Sequence, residues 1–141
     1  LAKSKYFVFN VRQPLWFRKR EEQIFLETWH GTPLKKLAFD IEVPEGTTFY
    51  RSGMNEEMMH ETYAQDVKKY NYMISPSAFT TEVFQSAFRI NRERLIETGY
   101  PRNDFLTNYT EEDVLNIKKK LGIPLDKRYF FMHQRGEIIL I

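Results

Sequence analysis

The stretch that decides the reading is residues 23–36, QIFLETWHGTPLKK. Its first half, Gln23-Ile24-Phe25-Leu26-Glu27-Thr28, is a short apolar run with the composition of a strand. The run stops at Trp29-His30-Gly31-Thr32-Pro33, where a glycine and a proline within three residues end any strand or helix. His30 therefore lies just past the carboxyl end of a strand, at the edge where open α/β sheets bind ligands. A lone histidine is ordinarily a hydrogen-bonded structural residue. Its neighbours here suit a site: Gly31 permits close approach of a ligand, Thr32 offers a hydroxyl, and Lys35 and Lys36 add positive charge. That combination fits a phosphorylated or hydroxylated substrate.

Working outward, residues 5–10 (KYFVFN) predict a first strand, buried on both faces and closed by a turn former. The connector to the second strand mixes bulky apolar side chains with cations: Trp16, Phe17, Arg18, Lys19 and Arg20. Such a mix can lie on an anionic membrane surface, or form a solvated loop whose aromatics pack on the domain. Residues 54–70 predict a helix with Met59, Tyr63, Val67 and Tyr70 towards the core and His60 beside them in a structural or surface role. Residues 71–75 predict a third strand. Ser75 is placed to cap the next helix with Pro76 in its first turn, and Phe79, Val83, Phe84, Ala87 and Phe88 share one face of that helix. The Ser75 and Ser77 hydroxyls at this junction are candidate phosphate contacts, although capping alone accounts for both.

Residues 94–98 predict a fourth strand, followed on the same edge by Arg102, Asn103 and Asp104. Thr110 then opens a helix with acidic residues in its first turn and Lys118, Lys119 and Lys120 in its last, and Gly122 and Pro124 beyond it. Val114, Ile117 and Leu121 form its apolar stripe. The alternation of strands and helices predicts an α/β domain with a mainly parallel, Rossmann-like sheet over residues 1–123. Residues 124–127 read as a linker, and 128–133 as the opening strand of a second domain.

Composition narrows the classes. The 141 residues, 42% hydrophobic and 16% aromatic, can bury a core. A net charge of +2 gives no footprint for nucleic acid, which is not an expected partner. With no cysteine, a thiol nucleophile and a Cys-ligated zinc are excluded, and neither a metal ion nor a cofactor is expected. No apolar run approaches the ~20 residues that span a bilayer.

Residues 28–37, TWHGTPLKKL, with Asp40 following, resemble the CDP-glycerol glycerophosphotransferase family of teichoic acid synthesis. Two later segments agree in the same order: Ile74-Ser75-Pro76-Ser77 leading into Thr80-Thr81-Glu82-Val83-Phe84, and Glu97-Thr98-Gly99-Tyr100-Pro101-Arg102-Asn103-Asp104. The resemblance covers residues 5–125. It implies a two-domain GT-B fold of which this chain holds mainly the first, acceptor-side half. CDP-glycerol would be held mostly by the second, nucleotide-binding half, and the acceptor would be lipid-linked or a growing polyol-phosphate chain. It implies peripheral attachment to the cytoplasmic face of the cell membrane. Residues 134–141 do not match the family's usual opening of that second half, and His133 is not assigned a role.

The chemistry gives His30 the place of catalytic base. A glycerol hydroxyl is a poor nucleophile at neutral pH, and imidazole, titrating near ~6.5 when free, keeps a neutral fraction able to take its proton. Gly31, Thr32, Lys35, Asp40, Ser75, Ser77, Arg102 and Asp104 are the expected substrate contacts, Lys35 and Arg102 offsetting phosphate charge. Two other readings fit the same chain: a GT-B glycosyltransferase or nucleotide-sugar epimerase domain, and a non-catalytic remnant that binds membrane or a partner.

Overall fold

The computed structural model describes residues 3–49, 52–129, 131–134 and 137–140, the last two stretches as backbone. The chain forms two compact units, Leu1–Arg102 and Asn103–Ile141. The first is an α/β layer: β1 (Tyr6–Phe9), β2 (Ile24–Glu27), α1 (Glu56–Val67), β3 (Tyr72–Ser75), α2 (Ala78–Ala87) and β4 (Leu95–Glu97). The four strands are parallel and ordered β1-β2-β3-β4. The first four strands read from the sequence form this sheet, and both intervening helices are present.

Strand order determines which face is buried. The chain advances across the sheet in one direction, and right-handed crossovers then carry every connection over the same face. The core lies on that face, where Phe7, Phe25, Met73 and Leu95 meet Val67, Tyr70, Phe84, Ala87 and Phe88. Phe7, Phe9, Phe17 and Phe25 form an aromatic cluster with ring centroids 5.2–6.0 Å apart. Each such buried ring contributes roughly 1.5–3 kcal/mol.

Two expectations are corrected here. The first strand is not buried on both faces: it is an edge strand, and Tyr6 and Val8 on its second face are 62% and 63% exposed. Phe17 is not available to a bilayer. The 10–23 connection crosses the covered face, and Phe17 drops into the core at 4% exposure, while Trp16 beside it is 74% exposed. Among the connector cations, Arg18 bonds the Leu15 and Phe17 carbonyls, Lys19 bonds the Gln23 carbonyl, and Arg20 pairs with Glu22.

The helix starts follow their caps. Asn55 accepts the Met58 N–H and begins α1, whose Met59 and Val67, with Tyr70 just beyond, are buried as expected. His60 is half-buried against the Phe39 ring. The cap of α2 is Ser77 and not Ser75, because Ser75 still pairs with Glu97 as the last residue of β3. Phe79, five residues before Phe84 and so about 140° round the helix from it, is 59% exposed, and the buried face is Thr80, Thr81, Phe84, Ala87 and Phe88. Asp66, buried in α1, is held by Arg12 and by Lys69 at 3.0 Å.

In the second unit, α3 (Phe105–Asn108) precedes α4 (Glu111–Leu121). Thr110 and Asp113 form a capping box and Gly122 ends α4 in the left-handed conformation, as the sequence predicts. The apolar stripe is not buried: Ile117 and Leu121 are 44% and 56% exposed and line a cleft with Ile123 and Tyr129. Compactness places α4 in this unit, before the 123/124 boundary read from the sequence. The strand predicted for 128–133 is β5 (Phe131–Gln134), paired antiparallel with β6 (Glu137–Leu140); Phe130 lies outside the described residues. Among the described residues no helix is long and apolar enough to cross a membrane.

Glu27, the last residue of β2, is fully buried on the core face. Burial pushes its carboxyl from the ordinary 4.5 up to about 7, opposed by the Trp29 N–H and reinforced by the Asp66 carboxylate. A raised acid binds its proton more tightly folded than unfolded, so its contribution to stability is whole below about pH 4.5 and is lost as pH climbs through about 7. The loss is on the order of 3 kcal/mol. Urea midpoints measured across that window should therefore fall with rising pH, and Glu27→Gln should flatten the fall. Equal slopes in both proteins would contradict the buried titration.

Candidate functional site

The carboxyl ends of the strands carry the loops that matter. Asn10 follows β1, His30 follows β2, and Tyr100 and Arg102 follow β4. Because β1 and β2 pair in register from Tyr6↔Ile24 to Phe9↔Glu27, the two loops leave the sheet side by side. Thr28 N–H bonds the Phe9 carbonyl at 2.7 Å and extends the pairing one step further. His30 Nδ1 then lies 3.0 Å from the Asn10 carbonyl.

That contact assigns the imidazole's proton. A carbonyl only accepts, so Nδ1 must carry the hydrogen, and Nε2 of the neutral ring is left with a lone pair. The ring is held from its flank as well: the Trp29 indole stacks on it with centroids 4.3 Å apart. Trp29 itself is buried and packs edge-on against Phe88 at 5.0 Å. Its backbone is left-handed, at φ 53°, a conformation costing a non-glycine residue about 1–2 kcal/mol. The Glu27 carboxylate offsets that cost by accepting the Trp29 N–H at 2.9 Å.

His30 opens onto a cleft of about 440 Å³ whose lining includes Arg12, Trp29, Lys35, Lys36 and Tyr63. The Arg12 guanidinium stands 3.9 Å over the Tyr63 ring while bound to Asp66, so its charge is already met. Lys36 pairs with Glu42 and holds that carboxyl below its usual range. Among the described residues no carboxylate pairs with Lys35. The cleft thus offers an anion the Lys35 ammonium, uncommitted among the described residues, on the same lining as the His30 imidazole.

Gly31 and Thr32 continue the loop, Gly31 half-buried and Thr32 exposed. A Cβ built on Gly31 meets no atom within 4 Å, so packing within the chain does not require the glycine; its bareness keeps space open beside His30. Arg102 reaches this loop from β4, donating Nη2–H to the His30 carbonyl at 3.1 Å with its guanidinium 4.5 Å over the Tyr100 ring. It fixes the loop from the far side. Burial raises the Tyr100 phenol, while Arg102 and the Gly31 backbone pull it the other way.

The remaining predicted contacts are not gathered here. Asp40 accepts the Ser86 hydroxyl of α2 at 2.8 Å and does not line the cleft. Ser75 donates to the Ser77 carbonyl and accepts the Thr81 hydroxyl, which also reaches Glu97 at 2.6 Å. Ser77 caps α2. Both serines are occupied in a polar cluster at the β3–β4 end. Asp104 belongs to the second unit, where its carbonyl accepts the Thr107 hydroxyl and the Asn108 N–H. The sequence reading missed Asn10, Glu27, Trp29 and Tyr100. Asn10 and Tyr100 each follow a strand at the same edge as His30, which is the signal that identifies them.

Known proteins share this chain and this fold. Residues 1–133 match the model of the family described as CDP-Glycerol:Poly(glycerophosphate) glycerophosphotransferase. The chain is 43% identical over 129 residues to the teichoic acid poly(glycerol phosphate) polymerase of Bacillus spizizenii, covering 91% of this chain and 31% of that protein. It is 36% identical over 130 residues to the teichoic acid glycerol-phosphate transferase of Staphylococcus aureus, covering 91% and 32%. The solved wall teichoic acid polymerase TagF superposes with a TM-score of 0.80 at 36% identity, over 90% of this chain and 30% of that one. A TagF variant with a histidine replaced by asparagine and soaked with CDPG gives 0.79. The chain spans about a third or less of the length of these relatives. With the match running through both sheet and site loop, the chain belongs to the CDP-glycerol:poly(glycerophosphate) glycerophosphotransferase family.

Proposed function

We propose that this chain supplies the acceptor-side site of an enzyme that transfers glycerol phosphate from CDP-glycerol to a hydroxyl of a lipid-linked acceptor or growing teichoic acid chain. The observation that carries the reading is the His30 Nδ1 contact with the Asn10 carbonyl, which leaves Nε2 as the free nitrogen at a cleft with an unpaired lysine. Nε2 takes the acceptor hydroxyl's proton as that oxygen attacks the glycerol-bearing phosphorus. A new P–O bond forms, the bond to the cytidine phosphate breaks, and CMP leaves. Lys35 draws the acceptor's phosphate into the cleft. Arg102 holds the His30 loop in place and, from its exposed position, can share a phosphate oxygen. CDP-glycerol is held mainly by residues outside this chain.

In an intact family protein carrying this site, His30→Ala should lower turnover by about two to four orders of magnitude with the thermal melt unchanged. The imidazole's hydrogen bond is on an exposed loop and adds little core area. Loss of activity only in step with loss of folded protein would make His30 structural. Substituting a UDP-sugar for CDP-glycerol as donor should give no transfer, and sugar transfer would favour the glycosyltransferase reading.

Peripheral attachment to the cytoplasmic face of the membrane belongs to the same proposal. It is supported by exposed Trp16 and Leu15 beside Arg18 on the 10–23 connection. Sedimentation with vesicles should require anionic lipid, weaken with salt across a Debye length of ~8 Å at physiological ionic strength, and fall on Trp16→Ala. Binding indifferent to lipid charge and salt would return the connector to a plain surface loop.

A further inference from the structure

Glu27 occupies a strand position that an apolar side chain would ordinarily fill. It pairs in register with Phe9 on one side and Met73 on the other, and it is fully buried. Only one of its oxygens is used: Oε1 accepts the Trp29 N–H at 2.9 Å, and Oε2 is buried without a hydrogen-bond partner. A half-satisfied buried carboxyl is costly, and a leucine of similar size would pack there without that cost. The local fold needs no acid at this point, since β2 is already paired on both sides. What the carboxyl does touch is the peptide that turns the chain from the strand into the His30 loop.

That peptide is unusual in its own right. Trp29 is one of three non-glycine residues with positive φ among the described residues, and it directly precedes His30. A right-handed or extended Trp29 would send the following residue in another direction, away from the Asn10 carbonyl. We propose that Glu27 is a positioning residue for His30: its carboxylate holds Trp29 left-handed, and Trp29, through the next peptide and its stacked indole, sets the imidazole with Nδ1 on the Asn10 carbonyl and Nε2 free. The catalytic meaning of this rests on the reading of His30 as the base; the geometry does not. Glu27 touches neither cleft nor substrate and acts only through Trp29.

The tautomer of His30 reports this directly, because a free imidazole prefers its proton on Nε2 and only the Asn10 contact favours Nδ1. Imidazole nitrogen NMR on the 141-residue chain at about pH 8, where imidazoles are neutral, reads it without any assay of turnover. The unsubstituted chain should show His30 protonated on Nδ1. Glu27→Gln keeps a carbonyl acceptor for the Trp29 N–H and should keep that tautomer. Glu27→Leu fills the space without an acceptor and should shift His30 towards the Nε2-protonated mixture of a free ring. A folded Glu27→Leu chain that retains the Nδ1 proton would overturn the positioning role while leaving the base reading intact. A His30 already protonated on Nε2 in the unsubstituted chain would overturn both. Should Glu27→Leu fail to fold, amide exchange in the unsubstituted chain decides: Trp29 N–H should exchange about a hundredfold or more slower than an open-loop amide. Exchange at the open-loop rate would overturn the proposal.

Discussion

Asn10 and His30 meet because β1 and β2 run parallel and in register, so that their carboxyl ends stop at the same height. An antiparallel pair would place those two residues at opposite ends of the sheet, and a slip of one residue would turn Phe25 out of the core. The burial of Phe7 and Phe25 on the covered face therefore fixes more than stability. It fixes which backbone carbonyl faces the imidazole, and through that contact which ring nitrogen is free. The rest of the site is arranged around this pair. Trp29 braces the ring from the side, Glu27 braces Trp29 from beneath, and Arg102 ties down the His30 carbonyl from β4.

Most of the cations around the cleft already have partners. Arg12 and Lys69 neutralise the buried Asp66, Lys36 is spent on Glu42, and Arg102 is shared between a carbonyl and the Tyr100 ring. Lys35 is the cation in the cleft lining left without a carboxylate. On the proposed function, a single exposed ammonium on the same cleft as the imidazole attracts a substrate's phosphate while its hydroxyl gives up a proton. A more strongly cationic cleft would, on that proposal, oppose the gain of a proton by the imidazole.

Much of this was legible in the sequence, for reasons that can be named. Apolar runs bounded by turn formers read as all four parallel strands, apolar residues at helical spacing as α1, and capping residues as α4. His30 and Lys35 line one cleft, as their nearness on a single short loop suggests. What was not legible depended on strand order and on direction. Tyr6 and Val8 read as buried, but an edge strand exposes its second face, and edge position does not follow from a single strand's composition. Phe17 had both a membrane-facing and a packed reading, and only the face its loop crosses decides for the packed one. Phe79 was misplaced because, five residues before Phe84, it stands about 140° round α2 from the buried face. Asn10 was legible only by its place after a strand at this edge, because it contributes a main-chain carbonyl, which any residue type supplies. Glu27 and Trp29 read simply as the end of a strand and the start of a turn.

The role of His30 Nε2 as a base is tested most directly by the pH dependence of kcat/KM for an intact family protein carrying this site. The free nitrogen must be unprotonated to accept the acceptor hydroxyl's proton. The rate should therefore fall on the acid side with a one-proton limb, and the residual activity of His30→Ala should lack that limb. A profile with no acid limb, or a limb that survives the substitution unchanged, would contradict it.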